Sequence, residues 1–170
     1  MRYTVVVLAL MLVGTTPAAS QVTDDRTVVP GVRIGRWALT IPLPELLRTI
    51  GPPSPRPSLL AAVVYGVTWY SWDHLGLAVG TTDRNTIAYL AVYQTRDYVT
   101  PRGAGVGVSR TVVLGSYGDP TVESDFFAQG RTITVLAYDK IGLAFFLHND
   151  VVQVLLIFNP GGLQHLIANC

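Results

Sequence analysis

Cysteine is almost absent from this chain. The single cysteine, Cys170, is the last residue, so no internal disulfide can form. An unpaired thiol at a chain end is the expected state of this side chain. The fold must therefore be stabilised by packing and hydrogen bonds rather than by covalent cross-links.

Charge is also scarce. Charged residues make up 14% of the chain, against about 25% in an average soluble domain. The 12 basic and 11 acidic side chains nearly cancel, and no run of Lys or Arg occurs. Such a chain gives no electrostatic basis for binding nucleic acid or an anionic membrane. Because 49% of its residues are apolar, much of it is expected to be buried.

Catalytic and metal-binding patterns are missing as well. The histidines lack metal-ligand spacing and are accompanied by no paired cysteine: His74, His148 and His165. Ser109 lacks the glycine two residues later that a nucleophile elbow needs, and suits a helix N-cap instead. The glycine-rich stretch 103–108 has valine where a dinucleotide fingerprint needs glycine. We therefore predict a non-enzymatic protein with no metal and no cofactor.

The N-terminus has the pattern of a secretory signal peptide. Arg2 precedes an apolar run over residues 3–14, and Ala18 and Ser20 supply the small residues of a cleavage site after Ser20. The apolar run is shorter than the ~20 residues that span a bilayer as a helix. We expect residues 1–20 to be removed and the mature chain to be periplasmic or extracellular, with no integral membrane span.

One eight-residue stretch occurs twice, as WDHLGLAV at 72–79 and YDKIGLAF at 138–145. Two further landmarks recur in the same order: a short apolar segment before a glycine and proline near 51–53 and 118–120, and an apolar run at 87–93 and 152–158. Self-similarity at a nearly fixed spacing indicates an internal repeat. The predicted division is given by residue ranges: 1–20 signal peptide, 21–30 irregular segment, 31–93 first repeat, 94–104 linker, 105–158 second repeat and 159–170 tail.

Each landmark predicts a local structure. A helix of about two turns should end at Gly51, and a second should run from the N-cap Ser109 to Gly118. The eight-residue stretches should form the turn and return strand of a hairpin, and the run 152–158, apolar on both faces, a strand covered on both sides. We expect an α+β fold of two tandem repeats, each a short helix followed by an antiparallel sheet of about three strands.

The hairpins predict which side chains share a face of the sheet. The large residues form the candidate core face: Tyr70, Trp72, Leu77 and Val79 in the first copy, and Leu136, Tyr138, Leu143 and Phe145 in the second. The smaller residues form the opposite face: Trp69, Ser71 and Ala78, and Val135, Ala137 and Ala144. Trp69 stands out on this face, because the second copy has only Val135 there.

The residues that recur resemble a known pattern. A short helix ending in Gly-x-Pro, then Trp/Tyr-Asp-x-x-Gly-Leu and an apolar strand, doubled behind a signal peptide, is similar to the SmpA/OmlA envelope family and the β-lactamase inhibitor protein-like fold. Members of such families generally bind other proteins. The inhibitors carry disulfides and the envelope family a lipidated cysteine, and this chain offers neither.

The candidate binding residues follow from the faces of the first hairpin. We predict an exported scaffold or binding module that engages a protein partner, or its own twin, through an apolar sheet face: Trp69, Ser71 and Ala78, with Tyr70 and Trp72 beside them. The alternative is a carrier that holds a small apolar ligand between the repeats, lined by Tyr70, Leu77, Leu143 and Phe145. A hydrolase is the third possibility, but no nucleophile, base and orienting group can be named. Asp73 and Asp139 could be imagined as a catalytic pair, but we expect each to cap its own turn.

Overall fold

The computed structural model describes residues 25–55, 59–62, 64, 66–83 and 85–163. The predicted signal peptide, His165 and Cys170 lie outside these residues. Short strands β1 (Val28–Val29), β2 (Arg33–Ile34) and β3 (Trp37–Ala38) form a small antiparallel sheet. The remaining elements follow in chain order: α1 (Leu43–Ile50), a 3₁₀ turn (Leu59–Ala62), β4 (Thr68–Trp72), β5 (Leu77–Thr81), β6 (Ile87–Tyr93), α2 (Arg110–Tyr117), β7 (Val122–Ala128), β8 (Arg131–Tyr138), a 3₁₀ turn (Asp139–Ile141), β9 (Leu143–His148) and β10 (Val151–Phe158).

The main sheet has seven strands in the order β4-β5-β6-β10-β9-β8-β7, and every neighbouring pair is antiparallel. The predicted α+β class is confirmed. Strands from the two predicted repeats meet where β6 pairs with β10, with Ala91 opposite Leu156 at the centre of five residue pairs. The strands of both repeats therefore share one continuous sheet.

Both predicted helices are present. α1 begins with proline at its first turn and ends at Gly51, whose φ is 93°. α2 begins at the N-cap Ser109, whose hydroxyl accepts a hydrogen bond from Val112 N, and ends at Gly118 with φ of 74°. The two helices lie over one face of the sheet through Leu43, Leu46 and Val113, which are at most 3% exposed. Neither helix is long enough to be stable alone, so this packing holds them.

The face beneath the helices is the predicted large-residue face. Its core unites the small sheet, both helices and the strand residues predicted from the hairpins, namely Trp72, Leu77, Val79, Leu136, Tyr138, Leu143 and Phe145. These seven side chains are at most 6% exposed, and Tyr70 is partly buried beside them. Burying a large apolar side chain contributes about 1.5–3 kcal/mol, so this face supplies much of the stability.

The second face is also buried and apolar. Twelve strand residues belong to its cluster, and all are at most 8% exposed: Ala78, Tyr89, Ala91, Ala128, Ile133, Val135, Ala137, Ala144, Phe146, Val154, Leu156 and Phe158. The described members of the cluster outside the strands are Leu60, Val64 and Leu163. The prediction that 152–158 is covered on both sides is confirmed, and its one polar residue, Gln153, lies at a β-bulge and is exposed.

The two halves of the sheet repeat the same hydrogen bonds at helix ends. Trp72 Nε1 donates to Gly51 O, and Tyr138 Oη donates to Gly118 O, both at 3.0 Å. In each half the strand-end aromatic side chain thus satisfies a carbonyl at the helix C-terminus, which no intrahelical donor can reach. Bonds at the hairpin turns repeat as well: Asp73 N to Ser54 Oγ and Asp139 N to Thr121 Oγ1, and Tyr93 N to Gly76 O and Phe158 N to Gly142 O.

Three elements were not predicted from the sequence. These are the small sheet β1–β3, the 3₁₀ turn at 59–62 and strand β7. The segment predicted as a linker is packed: Val99 O accepts a hydrogen bond from Val28 N, and Ala104 is fully buried. Residues 28–29, predicted as irregular, form β1. No helix within the described ranges is long and apolar enough to cross a membrane.

Gly142 provides a test of the turn geometry. Its φ is 64°, and a Cβ there would collide with Phe158 O, whereas Gly130 has φ of 76° and open space around the same position. Gly130→Ala should cost about 1 kcal/mol for the left-handed backbone alone. Gly142→Ala should lower the free energy of unfolding by about 3 kcal/mol more, because the backbone of β10 must also move. Urea unfolding of both variants checks this, and equal losses would contradict it.

Candidate functional site

Trp69 lies on β4, an edge strand of the seven-stranded sheet. Its ring covers Gly80 on the neighbouring strand, where an added Cβ would come within 3.0 Å of Trp69 Cη2 and 2.7 Å of Val67 Cγ1. Because Gly80 has no side chain, the indole of Trp69 can pack against the second face at this position. The residue remains partly exposed, which sets it apart from the buried strand residues around it.

Trp69 begins a row of aromatic rings across the second face. Its ring centroid is 5.9 Å from that of Tyr89, and the Tyr89 ring is 6.3 Å from that of Phe158. These separations fall in the range of favourable aromatic pairs. Burial raises the pKa of the Tyr89 hydroxyl to about 12. The row runs from the edge strand β4 through β6 to β10 in the middle of the sheet.

The indole nitrogen of Trp69 is buried and has no hydrogen-bond partner. Leaving a buried donor unpaired costs about 1–3 kcal/mol, so a structure tends to retain one only where something compensates. By contrast, the indole of Trp72 on the opposite face is bonded to the end of α1. A buried N–H without an acceptor therefore distinguishes Trp69 from Trp72.

The five predicted binding residues divide between the two faces. Trp69, Ser71 and Ala78 lie on the second face, and Tyr70 and Trp72 on the helix-covered face. Ser71, Ala78 and Trp72 are at most 3% exposed, whereas Trp69 and Tyr70 are partly exposed. In the folded chain, a partner could reach only these last two directly.

Asp73 and Asp139 do not lie together. The turn of Asp73 bonds to Tyr93 at the end of β6, and the turn of Asp139 bonds to Phe158 at the end of β10. Because β6 and β10 are antiparallel, these turns are at opposite ends of the sheet. Asp73 Oδ1 accepts a hydrogen bond from Tyr93 Oη at 2.8 Å, and Asp139 Oδ1 accepts one from Leu163 N at 3.1 Å. Both carboxylates thus hold chain segments in place, and they do not form a pair.

The predicted carrier lining lies in packed core. Leu77, Leu143 and Phe145 are at most 2% exposed and contact the helix-covered cluster. An open concavity of about 350 Å³ lies elsewhere, lined by Pro30, Pro101, Arg102, Tyr117, Ile141 and Pro160. A second, polar concavity of about 290 Å³ lies beside the Asp73 turn and contains His74. Among the residues that the structure describes, no three His, Cys, Asp or Glu side chains are grouped as a metal ion would require.

The two edge strands differ in charge, a feature that the sequence prediction missed because β7 was not recognised. β7 carries Glu123, which forms an ion pair with Arg110 at 2.7 Å, and Asp125, which accepts a hydrogen bond from Thr134. β4 carries no charged side chain. Charges on an edge strand discourage pairing with another chain, so β7 has a protection that β4 lacks.

No protein-family model, curated protein or solved structure matches this chain. The case for its function therefore depends on its own residues.

Replacing Gly80 tests the seat of the Trp69 ring. Gly80→Ala should force the indole and Val67 outwards, shift tryptophan emission to the red and lower stability by about 1–3 kcal/mol. Gly115→Ala is the matched control, since Gly115 has open space and lies within helix α2, where alanine is favoured. Fluorescence of the Trp69→Phe background identifies the source, and a red shift that persists there would contradict the assignment.

Tyr89 predicts a fall in stability at high pH. Its pKa is about 12 in the folded chain and about 10 when unfolded, so the unfolded state loses its proton first as the pH rises. Stability from Tyr89 is therefore complete below about pH 10 and is lost towards about pH 12. Urea unfolding across this window should show a shallower decline for Tyr89→Phe than for the native chain. An unchanged decline would indicate that Tyr89 does not contribute.

Proposed function

We propose that this chain is an exported, non-enzymatic binding module that engages a protein partner through the second sheet face at Trp69. The supporting observation is Trp69 itself: a partly exposed indole on an uncharged edge strand, with a buried N–H that lacks an acceptor. Tryptophan is enriched among the residues that dominate the energy of protein interfaces.

The rest of the site supports a binding role rather than catalysis. Trp69 is the partly exposed end of an aromatic row whose other rings, Tyr89 and Phe158, are buried. The carboxylates of Asp73 and Asp139 accept hydrogen bonds from Tyr93 Oη and Leu163 N in separate turns. The resemblance to envelope proteins and protein inhibitors points in the same direction. An exported scaffold of the bacterial cell envelope is the setting that we propose.

We also propose that the chain arose by duplication of one helix-and-sheet unit. The paired hydrogen bonds support this, since Trp72 and Tyr138 bind equivalent glycine carbonyls. The central strands support it too. Tyr93 pairs with Val154 and Tyr89 with Phe158, and the sequence repeat makes Tyr93 equivalent to Phe158 and Tyr89 equivalent to Val154. The pairing is thus unchanged when the two copies are exchanged.

The second candidate is a periplasmic carrier of a small apolar ligand. The concavity of about 350 Å³ favours it, because its lining is mostly proline, tyrosine and isoleucine and its volume is within the range of ligand sites. This concavity lies away from the residues between the repeats that the sequence predicted. Native mass spectrometry of freshly purified protein distinguishes the two functions, since a carrier should retain added mass and a protein-binding module should not.

Photo-cross-linking in the native host tests the proposed function. A benzoylphenylalanine at position 69 should yield a discrete adduct with another protein, and the mature chain should begin at Gln21. The same probe at Val112 is the matched control, because Val112 is 45% exposed on α2 over the other face. Equal adducts at both positions, or none at position 69 in correctly exported protein, would reject the proposal.

A further inference from the structure

Two segments of nearly equal length start from equivalent anchors but fold differently. Ser54 N donates to Ser71 O and Thr121 N donates to Ala137 O, which attaches each segment to the end of its hairpin strand. The first reaches Val67 in 67 − 54 = 13 residues and the second reaches Ile133 in 133 − 121 = 12. The second segment forms β7 along the outer edge of β8. The described part of the first forms a 3₁₀ turn instead.

Proline accounts for this difference. After its anchor the first segment has Pro55 and Pro57 where the second has Val122 and Ser124, and proline has no N–H to donate to a strand ladder. The second continues from Thr121 into residues 122–128, with a valine and two phenylalanines that favour a strand. Leu60 and Val64 of the first segment pack on the second face, not beside β4 as a strand.

Among the described residues, no strand pairs with the outer edge of β4, although the 3₁₀ turn at 59–62 lies close to this strand. Ser71 O faces outwards, since it accepts from Ser54 N, and alternate residues of an edge strand point the same way. The N–H and C=O of Trp69 therefore face away from β5. Within the described part of the chain, no backbone hydrogen bond reaches them from outside the sheet. In the second half, the equivalent Val135 lies opposite Ser124 of β7.

We propose that β4 binds an extended segment of a protein partner, which adds to the sheet as an eighth strand beside Trp69. The inference rests on the proposed function and specifies how the partner is held. β7 shows the chemistry that fits, because Ser124 lies opposite Val135 and Phe126 opposite Ile133. The bound segment thus carries a small residue opposite Trp69, an apolar residue opposite Val67 and no proline between them. Main-chain hydrogen bonds supply affinity in such strand addition, and alternate side chains supply specificity.

A synthetic peptide with the sequence of residues 123–129 is the probe, labelled with a fluorophore and titrated into the mature chain. Ser124 N–H should face β4 and Asp125 N–H should face away, as the β7–β8 pairing implies. N-methylation at Ser124 should weaken binding about tenfold, the equivalent of one lost hydrogen bond. N-methylation at Asp125 is the matched control and should change the affinity by less than about threefold. Equal effects of the two methyl groups, or no binding of the parent peptide, would overturn the proposal.

A pair of chain variants tests the same edge from the other side. Trp69→Pro removes the outward N–H but none of the bonds to β5, since proline is tolerated at such positions of an edge strand, and Trp69→Val restores the residue found at 135. The peptide should bind Trp69→Pro about tenfold more weakly than Trp69→Val, because only the proline variant lacks the outward N–H. Equal affinities of the peptide for the two variants would overturn the proposal and indicate that the peptide displaces β7 from the sheet instead.

Self-association distinguishes a second copy from a different partner. The native chain should remain monomeric by light scattering at concentrations where the peptide binds. A dimer that Trp69→Pro abolishes would overturn the proposed occupant, because a second copy would then fill the edge. If the peptide does not bind but the cross-link at position 69 still forms, strand addition is rejected and the proposed binding function is retained. If the peptide binds but no cross-link forms, the proposed function is rejected, and the result shows only that β4 can accept a strand.

Discussion

The antiparallel pairing of β6 with β10 is the interaction on which the rest of the structure depends. Five residue pairs centred on Ala91 and Leu156 join three strands to four. These central strands are apolar on both faces, so each face must be covered to keep them from water. The helices and the small sheet cover one face, and they can do so only because the junction makes both halves a single surface. The edges, the aromatic row and the two separate turns all take their positions from this junction.

The helices and hairpins could be predicted from the sequence, but the pairing of β6 with β10 could not. Proline, glycine and serine at helix ends predicted α1 and α2, and the repeated hairpin predicted which aromatic side chains point to the core. Two apolar strands have the same composition and period whether they pack face to face or pair edge to edge. The sequences of residues 87–93 and 152–158 therefore could not predict which of these two arrangements forms. β7 was missed because two of its seven residues are acids, whose partners Arg110 and Thr134 are brought close only by the fold.

The candidate site was partly predictable for the same reason. Trp69 could be singled out because the repeat places valine at its equivalent position, a contrast visible without coordinates. The surroundings of Trp69 could not be derived, since the room for its ring comes from Gly80 and its aromatic neighbours from β6 and β10. Ser71 and Ala78 were predicted as contact residues from strand alternation, which identifies the face of a side chain but not how deeply it is covered.

The two edges of the sheet explain why only one half would bind. A seven-stranded open sheet has two edge strands with backbone groups that lack partners within the sheet, and a folded protein must prevent both edges from pairing indiscriminately. On β7 this is achieved with an ion pair and a second carboxylate. On β4 the side chains are uncharged, and the segment equivalent to β7 is diverted by prolines over the second face, where Leu60 and Val64 pack. A short strand of five residues limits what can add there, so β4 combines access for one extended segment with too little length to favour fibre growth.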